Sequence, residues 1–442
     1  MQAVRVSPRK MPRQNALENR LRKKVVIIGG GFAGLSAAKA LSHQPVDIVL
    51  IDRRNYHTFQ PLLYQVALGV LSASDITQPL RTALRRAPNV QVLLDEVSKI
   101  VPDIGRITIA SGSCVQYDYL IVASGATHSY FGNETWESDA PGLKSIENAI
   151  EIRRRIMLAF EDAERNAWDT CITETVNFTI IGGGPTGVEL AGAIRDISTF
   201  ILKHEYRFID PAACKVLLLE GSPRILAHYP DELSRKAEGQ LRKLGVEVHT
   251  NTRVTQVERD SVWIGAVRLP STVTLWAAGV EASPLGKCFR DTHRSGAVVV
   301  NEFLNPKGYS DIFVCGDLAH FEQDGKRVAG VAQLAMQMGK HAAKVIAEDA
   351  LGRPRTAFRY FDKGDIATIG RHRAVADVRW PFTTRLSGYP AWLAWLLIHL
   401  FFLAGFRNRA SVFLSWGLTY LSRSQAAGLI MEEPKGSNVD RR

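Results

Sequence analysis

Short apolar runs punctuate this chain, each ending in glycine or an acid and leading into a stretch with helical spacing. The pattern predicts strand 25–30, helix 32–43 and strand 47–52, then a loop through 57–61 and a helical or turn-rich stretch around 73–86. Strands follow near 90–94 and 107–110, and 120–125 reads as a strand ending in a tight, phosphate-tolerant turn. Helix 145–167 opens a second series: strand 176–181, helix 187–203, strand 215–220, helix 231–244, strand 246–249 and strand 274–279. Strand 312–317, with a glycine-acid end, precedes helix 330–350. Strands alternating with helices of about 10–15 residues argue for an α/β fold with parallel sheets. Residues 300–350 read as a return to the first series, so the second is inserted into it.

The two series open on the same fingerprint. Gly29-Gly30-Gly31-Phe32-Ala33-Gly34 follows Val25-Val26-Ile27-Ile28, and Gly182-Gly183-Gly184-Pro185-Thr186-Gly187 follows Phe178-Thr179-Ile180-Ile181. Each is a buried strand, a tight turn and a helix. The first glycine permits the turn, the third position lets backbone approach a pyrophosphate, and the last lets the helix pack closely on the sheet. The helix start offers unpaired N–H groups to phosphate. Asp52 ends the strand after the first fingerprint, and Glu220 ends the corresponding strand after the second, each placed to accept ribose hydroxyls. Two such units suggest two Rossmann-like domains and two dinucleotides. A carboxylate at Glu220 favours NADH over NADPH, although Arg224 stands close enough to blunt that preference. Asp317, ending strand 312–317, suits a polyol or phosphate.

Charge changes the picture only once it is located. The 442-residue chain carries +11, yet residues 25–379 are neutral. The excess lies on the two flanks, which fits an anionic membrane surface better than nucleic acid. Composition excludes a disordered chain and a polytopic membrane protein. The first 24 residues hold no apolar core of a secretory signal. Cys114, Cys171, Cys214, Cys288 and Cys315 form no closely spaced pair, so a disulfide or metal framework is not expected.

From 389 to 406 no Asp, Glu, Lys or Arg occurs, while Trp392, Trp395, Phe401, Phe402 and Phe406 crowd together. After Arg407-Asn408-Arg409, segment 410–423 puts Val412, Phe413, Trp416 and Tyr420 on one helical face. An in-plane membrane anchor over 387–423 is favoured over a buried core helix or a single span.

The span 24–423 resembles the flavoproteins with two dinucleotide-binding domains and, within them, the type II NADH:quinone oxidoreductases. The resemblance rests on Phe59-Gln60-Pro61-Leu62-Leu63-Tyr64-Gln65-Val66-Ala67, Trp276-Ala277-Ala278-Gly279, Cys315-Gly316-Asp317 and, most specifically, Ala332-Gln333-Leu334-Ala335-Met336-Gln337. Tyr360–Gly364 and Gly405–Arg409 also fit, and Ser124 replaces the usual Thr. The resemblance implies one non-covalent FAD at Gly29, Gly31, Phe32, Ala33, Gly34, Asp52, Arg53, Pro61, Leu62, Ser124, Gly125, Asp317, Ala332 and Gln333. It implies NADH at Gly182, Gly184, Pro185, Thr186, Gly187, Glu189, Glu220, Ala278 and Gly279. Glu189, Gln333, Gln337 and Lys363 are the implied catalytic residues. Glu189 is read in the first helical turn, either complementing the helix dipole or standing by the nicotinamide and flavin. Gln333 and Gln337, an i,i+4 pair, present neutral amides to quinone carbonyls; an ordinary amphipathic helix is the plain alternative.

The expected organisation is a basic tail at 1–23, an FAD-binding domain at 24–144 and 286–380, an NADH-binding domain at 145–285, anchor helices at 381–425 and a tail at 426–442. The expected activity is FAD-dependent NADH oxidation with two-electron reduction of a lipid quinone, ubiquinone or menaquinone, without proton pumping. The expected location is the cytoplasmic face of the cell inner membrane, with a homodimer as the protein partner considered. Rival readings are a sulfide:quinone oxidoreductase, which needs a cysteine pair flanking the flavin, and a membrane-associated NADH sensor with little turnover.

Overall fold

The computed structural model describes residues 22–403, 405–422 and 428–430. Most of the two expected tails, and the side chain of Tyr420, lie outside the described residues. The chain divides into two compact units. The first holds residues up to His57, Pro79–Ala126 and Ala282–Tyr360; the second holds Thr58–Gln78, Thr127–Glu281 and Phe361 onward. Residues 361–380, grouped by the sequence pattern with the first fingerprint, cluster with the second unit.

In the first unit five parallel strands run in the order Ile312–Val314, Tyr119–Val122, Lys23–Ile28, Val46–Asp52, Val90–Leu94. Val25, Val26 and Ile27 are buried on both faces, as the continuous apolar run requires of a central parallel strand. Helices Phe32–Ala40 and Ala332–Ala350 pack together on this sheet, the first through Ala33, Gly34, Ala37 and Ala38. An antiparallel meander, Val97–Val101, Arg106–Ile109 and Cys114–Gln116, completes the unit; only its middle strand was legible in the pattern.

The second unit has four parallel strands in the order Val246–His249, Lys215–Leu219, Asn177–Ile181, Val273–Trp276. Helix Pro185–Phe200 begins two residues before its expected start because Pro185 occupies the first helical position, where its fixed φ fits and no N–H is needed. Glu189 therefore lies beyond the first turn, not in it. Helix Asp231–Leu244 has its expected bounds: Asp231 and Glu232 open it, Arg242 and Lys243 close it, and Gly245 stops it at φ 90°. A second antiparallel meander is made by Gln256–Glu258, Ser261–Ile264 and Val267–Pro270, and a third by Gly364–Gly370, Arg373–Val378 and Thr384–Ser387.

The carboxyl-terminal helices correct the sequence reading in two ways. The uncharged stretch yields a helix of 14 residues, Tyr389–Phe402, which Leu403 ends in extended backbone. At 1.5 Å per residue this is roughly 21 Å, short of the ~30 Å hydrocarbon core. Among the described residues no helix is long and apolar enough to cross a membrane. Trp392 and Trp395 turn inward, with Trp392 seated on Ala374 and Ala376 of the third meander, while Leu397 and Phe401 face out. In helix Phe406–Ser422, Val412 and Trp416 are buried but Phe413 is exposed, so Phe413 does not share their face.

Candidate functional site

The two glycine turns are built alike, atom for atom. Gly29 has φ 97° and Gly182 φ 112°, values open to glycine at little cost. Gly29 N–H bonds Ile51 O at 2.8 Å, and Gly182 N–H bonds Leu219 O at 2.8 Å. A β-carbon on Gly34 would stand 1.8 Å from Gly29 O, and one on Gly187 1.8 Å from Gly182 O. A β-carbon on Gly31 or Gly184 would meet nothing within 4 Å. The first pair sets the turn, the second lets each helix start against it, and the third leaves an open cradle at the helix start.

Each acid is tied into its turn. Asp52 accepts from Gly30 N–H at 2.5 Å and Arg54 N–H at 2.7 Å; Glu220 accepts from Gly183 N–H and Ser222 N–H, both at 2.6 Å. A carboxylate has about four lone-pair sites, so each keeps capacity for ribose hydroxyls while its orientation is set by backbone. Arg224, which the sequence left able to attract a phosphate, instead pairs with Asp231 and donates to Ala227 O at 2.9 Å. Arg53 stands 3.7 Å from Glu96 on the surface.

The first unit fits a bound flavin dinucleotide on two further observations. The Ser124 hydroxyl is buried and has no hydrogen-bond partner within the protein, beside Gly125 at the strand end. Gly316 brings Ala33 and Ala335 together: a β-carbon there would touch theirs at 3.7 and 3.4 Å. Asp317 is half-buried, with Oδ1 3.1 Å from the β-carbon position of Gly330. Ala332 and Gln333 open helix Ala332–Ala350, and Gln333 and Gln337 are half-buried on one side of it. His57, which no sequence motif marks, supports the turn: its ring lies edge-on to Phe32 at 5.0 Å and its Nδ1 is 3.1 Å from Gly30 O. Burial holds its pKa down at about 4, so it is neutral and Nδ1–H donates.

The second unit holds Pro61, Leu62, Glu189, Lys363 and all the NADH candidates. Of the four catalytic candidates, Gln333 and Gln337 thus belong to one unit and Glu189 and Lys363 to the other. Ala277 backbone, ahead of Ala278 and Gly279, seats against Gly182 at 2.5 Å from its β-carbon position. Lys363 is exposed, its Nζ 5.9 Å from the Trp380 ring centre and 5.8 Å from that of Phe402.

Glu189 lines an apolar cavity with Tyr64, Thr368, Trp392, Trp395 and Trp416. Burial pushes its carboxyl up to about 8 against the opposing Thr368 backbone bond, so it is largely protonated at neutral pH. Asp196 lines the same cavity and is pushed up to about 6 by burial, opposed by the Arg371 backbone and the Arg373 and Arg371 charges. It was missed, although its i,i+7 spacing from Glu189 puts both on one helix face. Trp416 Nε1–H donates to Gln65 Oε1 at 2.7 Å, and Gln65 Nε2 donates to the Tyr64 hydroxyl at 2.9 Å, joining the Phe59–Ala67 motif to the last helix.

All five cysteines are free. Burial pushes the Cys315 thiol well up, which removes the thiolate that sulfide chemistry would need there. Among the described residues no group of His, Cys, Asp and Glu could hold a metal.

Residues 23–339 match the family described as pyridine nucleotide-disulphide oxidoreductase, and residues 363–423 match the NDH2 C-terminal domain. Type II NADH:quinone oxidoreductase NdhA of Mycobacterium tuberculosis is 43% identical over 424 residues, 91% of this chain and 88% of that protein. Type II NADH:quinone oxidoreductase Ndh of the same organism is 43% identical over 419 residues, covering 91% and 89%. The structure of NDH2 from Plasmodium falciparum in complex with NADH superimposes with a TM-score of 0.80 at 20% identity, over 93% of this chain and 100% of that one, a likeness of fold. The chain belongs to the pyridine nucleotide-disulphide oxidoreductase family and, within it, to the type II NADH:quinone oxidoreductases.

Proposed function

We propose that this protein oxidises NADH and passes two electrons to a membrane quinone, using one non-covalently bound FAD. The observation that carries the reading is the duplicated turn, each copy with an open cradle and a carboxylate oriented by its own backbone. The first unit, with its orphaned Ser124 hydroxyl, would hold FAD, where Asp52 would accept ribose hydroxyls and Asp317 hydroxyls of the polyol chain. The second takes NADH, and Glu220 disfavours a 2′-phosphate now that Arg224 is occupied by Asp231. Bound there, FAD would supply the two-electron redox chemistry that links NADH to the quinone. Gln333 and Gln337 supply neutral amide donors to quinone carbonyls. Glu189, protonated at neutral pH, holds a proton at its carboxyl for the quinone oxygen being reduced. Lys363, exposed beside Trp380 and Phe402, would contribute positive charge to the reaction.

The protein attaches to the membrane surface as a peripheral protein. Leu393, Leu397 and Phe401 of one helix and Phe413, Leu414 and Leu418 of the next are exposed, more apolar surface than scattered side chains explain. They would lie in the plane of the bilayer on the cytoplasmic face, where NADH is available.

Stopped-flow absorbance of the purified, anaerobic holoprotein tests the reading. NADH is expected to bleach the flavin and a soluble quinone to restore it within turnover time. A flavin left oxidised by NADH sinks the proposal; bleaching without reoxidation by quinone leaves the sensor reading in its place.

A further inference from the structure

Phe131 sits where a phenylalanine is not at home. Tyr130–Asn133 is a tight turn closed by Asn133 N–H to Tyr130 O at 3.1 Å, and both central residues have positive φ, 54° at Phe131 and 88° at Gly132. Such turns select Asn and Gly, because a β-carbon strains the left-handed conformation. Core packing does not offset that strain. Tyr130 is the buried member, its hydroxyl bonded to Ala140 O at 3.0 Å, whereas Phe131 is 67% exposed.

The exposed ring is held in one place. Its Cζ and Cε2 lie 2.8 and 3.2 Å from where a β-carbon of Gly279 would be, and it meets Trp276 edge-on at 6.1 Å. Ser129 N–H bonds Gly279 O at 3.2 Å, and Trp276 Nε1–H bonds Ser129 O at 2.9 Å, which fixes the turn to the end of strand Val273–Trp276. Gly279 has no left-handed φ, so its missing side chain serves space and not conformation. That space is filled by the Phe131 ring, next to the Ala277–Ala278 backbone on which the Gly182 turn rests.

We infer that Phe131 is a substrate-contacting residue of the NADH site, an aromatic wall whose free face stacks on a planar ring of the dinucleotide. The inference rests on the reading that the second unit takes NADH. Strained residues cluster at ligand clamps, and an aromatic face is the surface that a nicotinamide or adenine ring uses.

The test is steady-state kinetics and thermal unfolding of holoprotein carrying Phe131→Asn, with Phe131→Tyr as the conservative control. The Asn variant relieves the turn, so its Tm is expected to equal or exceed that of wild type. Its KM for NADH is expected to rise roughly 3- to 10-fold, the size of one aromatic stacking contact. Its kcat and quinone KM are expected to stay within about twofold, and the Tyr variant to match wild type. An unchanged NADH KM in the Asn variant overturns the inference. So does a lower Tm with kcat and both KM values altered together, which would mark a merely structural residue. Failure of the wild-type flavin to bleach with NADH would instead overturn the reading of the unit itself.

Discussion

Glu189 carries a large electrostatic consequence of the fold. Burial among indole rings raises its folded pKa from 4.5 to about 8. A carboxyl that holds its proton more tightly folded than unfolded favours the native state below the unfolded pKa, and that advantage is lost as pH rises through the folded one. The window therefore runs from pH 4.5 to about 8. At about 1.36 kcal/mol per pH unit the whole loss is about 5 kcal/mol. Glu189→Gln keeps the shape and an acceptor for the Thr368 N–H but cannot ionise. Its stability advantage over wild type should grow by about 4 kcal/mol between about pH 5 and pH 9. In a unit of this size that widens the Tm gap by roughly 8–16 °C. Thermal unfolding of both holoproteins across that range measures the gap directly. A gap that is constant with pH refutes the burial argument. The same variant should lose the alkaline limb near pH 8 from the kcat profile if this carboxyl delivers a proton.

The two turns can be broken separately. Gly34→Ala puts a β-carbon 1.8 Å from Gly29 O, so the purified variant should have lost most of its FAD, read from the flavin-to-protein absorbance ratio. Gly187→Ala strains the other turn equally; it should retain FAD yet no longer be bleached by NADH, and normal bleaching would count against the assignment of the second unit. Phe401→Glu combined with Leu414→Glu alters only exposed positions, and should weaken flotation with anionic lipid vesicles while leaving NADH-dependent bleaching as it was. Undiminished flotation would remove the two helices from the membrane contact.

The dinucleotide turns were legible in the chain because their requirements are local. Buried parallel strands need unbroken apolar runs, the turn needs glycine at set spacings, and an acid must end the next strand, all within one supersecondary unit. The helix Asp231–Leu244 was readable to the residue for the same reason: its acids, bases and terminal glycine act on its own ends. Tertiary structure decided what depends on distant partners. The short meanders needed pairing to define them, the third of them seats Trp392, Trp395 turns inward against Trp416, and the apolar stretch ends as a 14-residue helix. The pKa of Glu189, the pairing of Arg224 with Asp231 and the seat of Phe131 on Gly279 likewise follow from burial and contact between segments far apart in the chain. Spacing along a sequence expresses steric need within a turn, whereas desolvation and side-chain orientation exist only once the chain has closed around them.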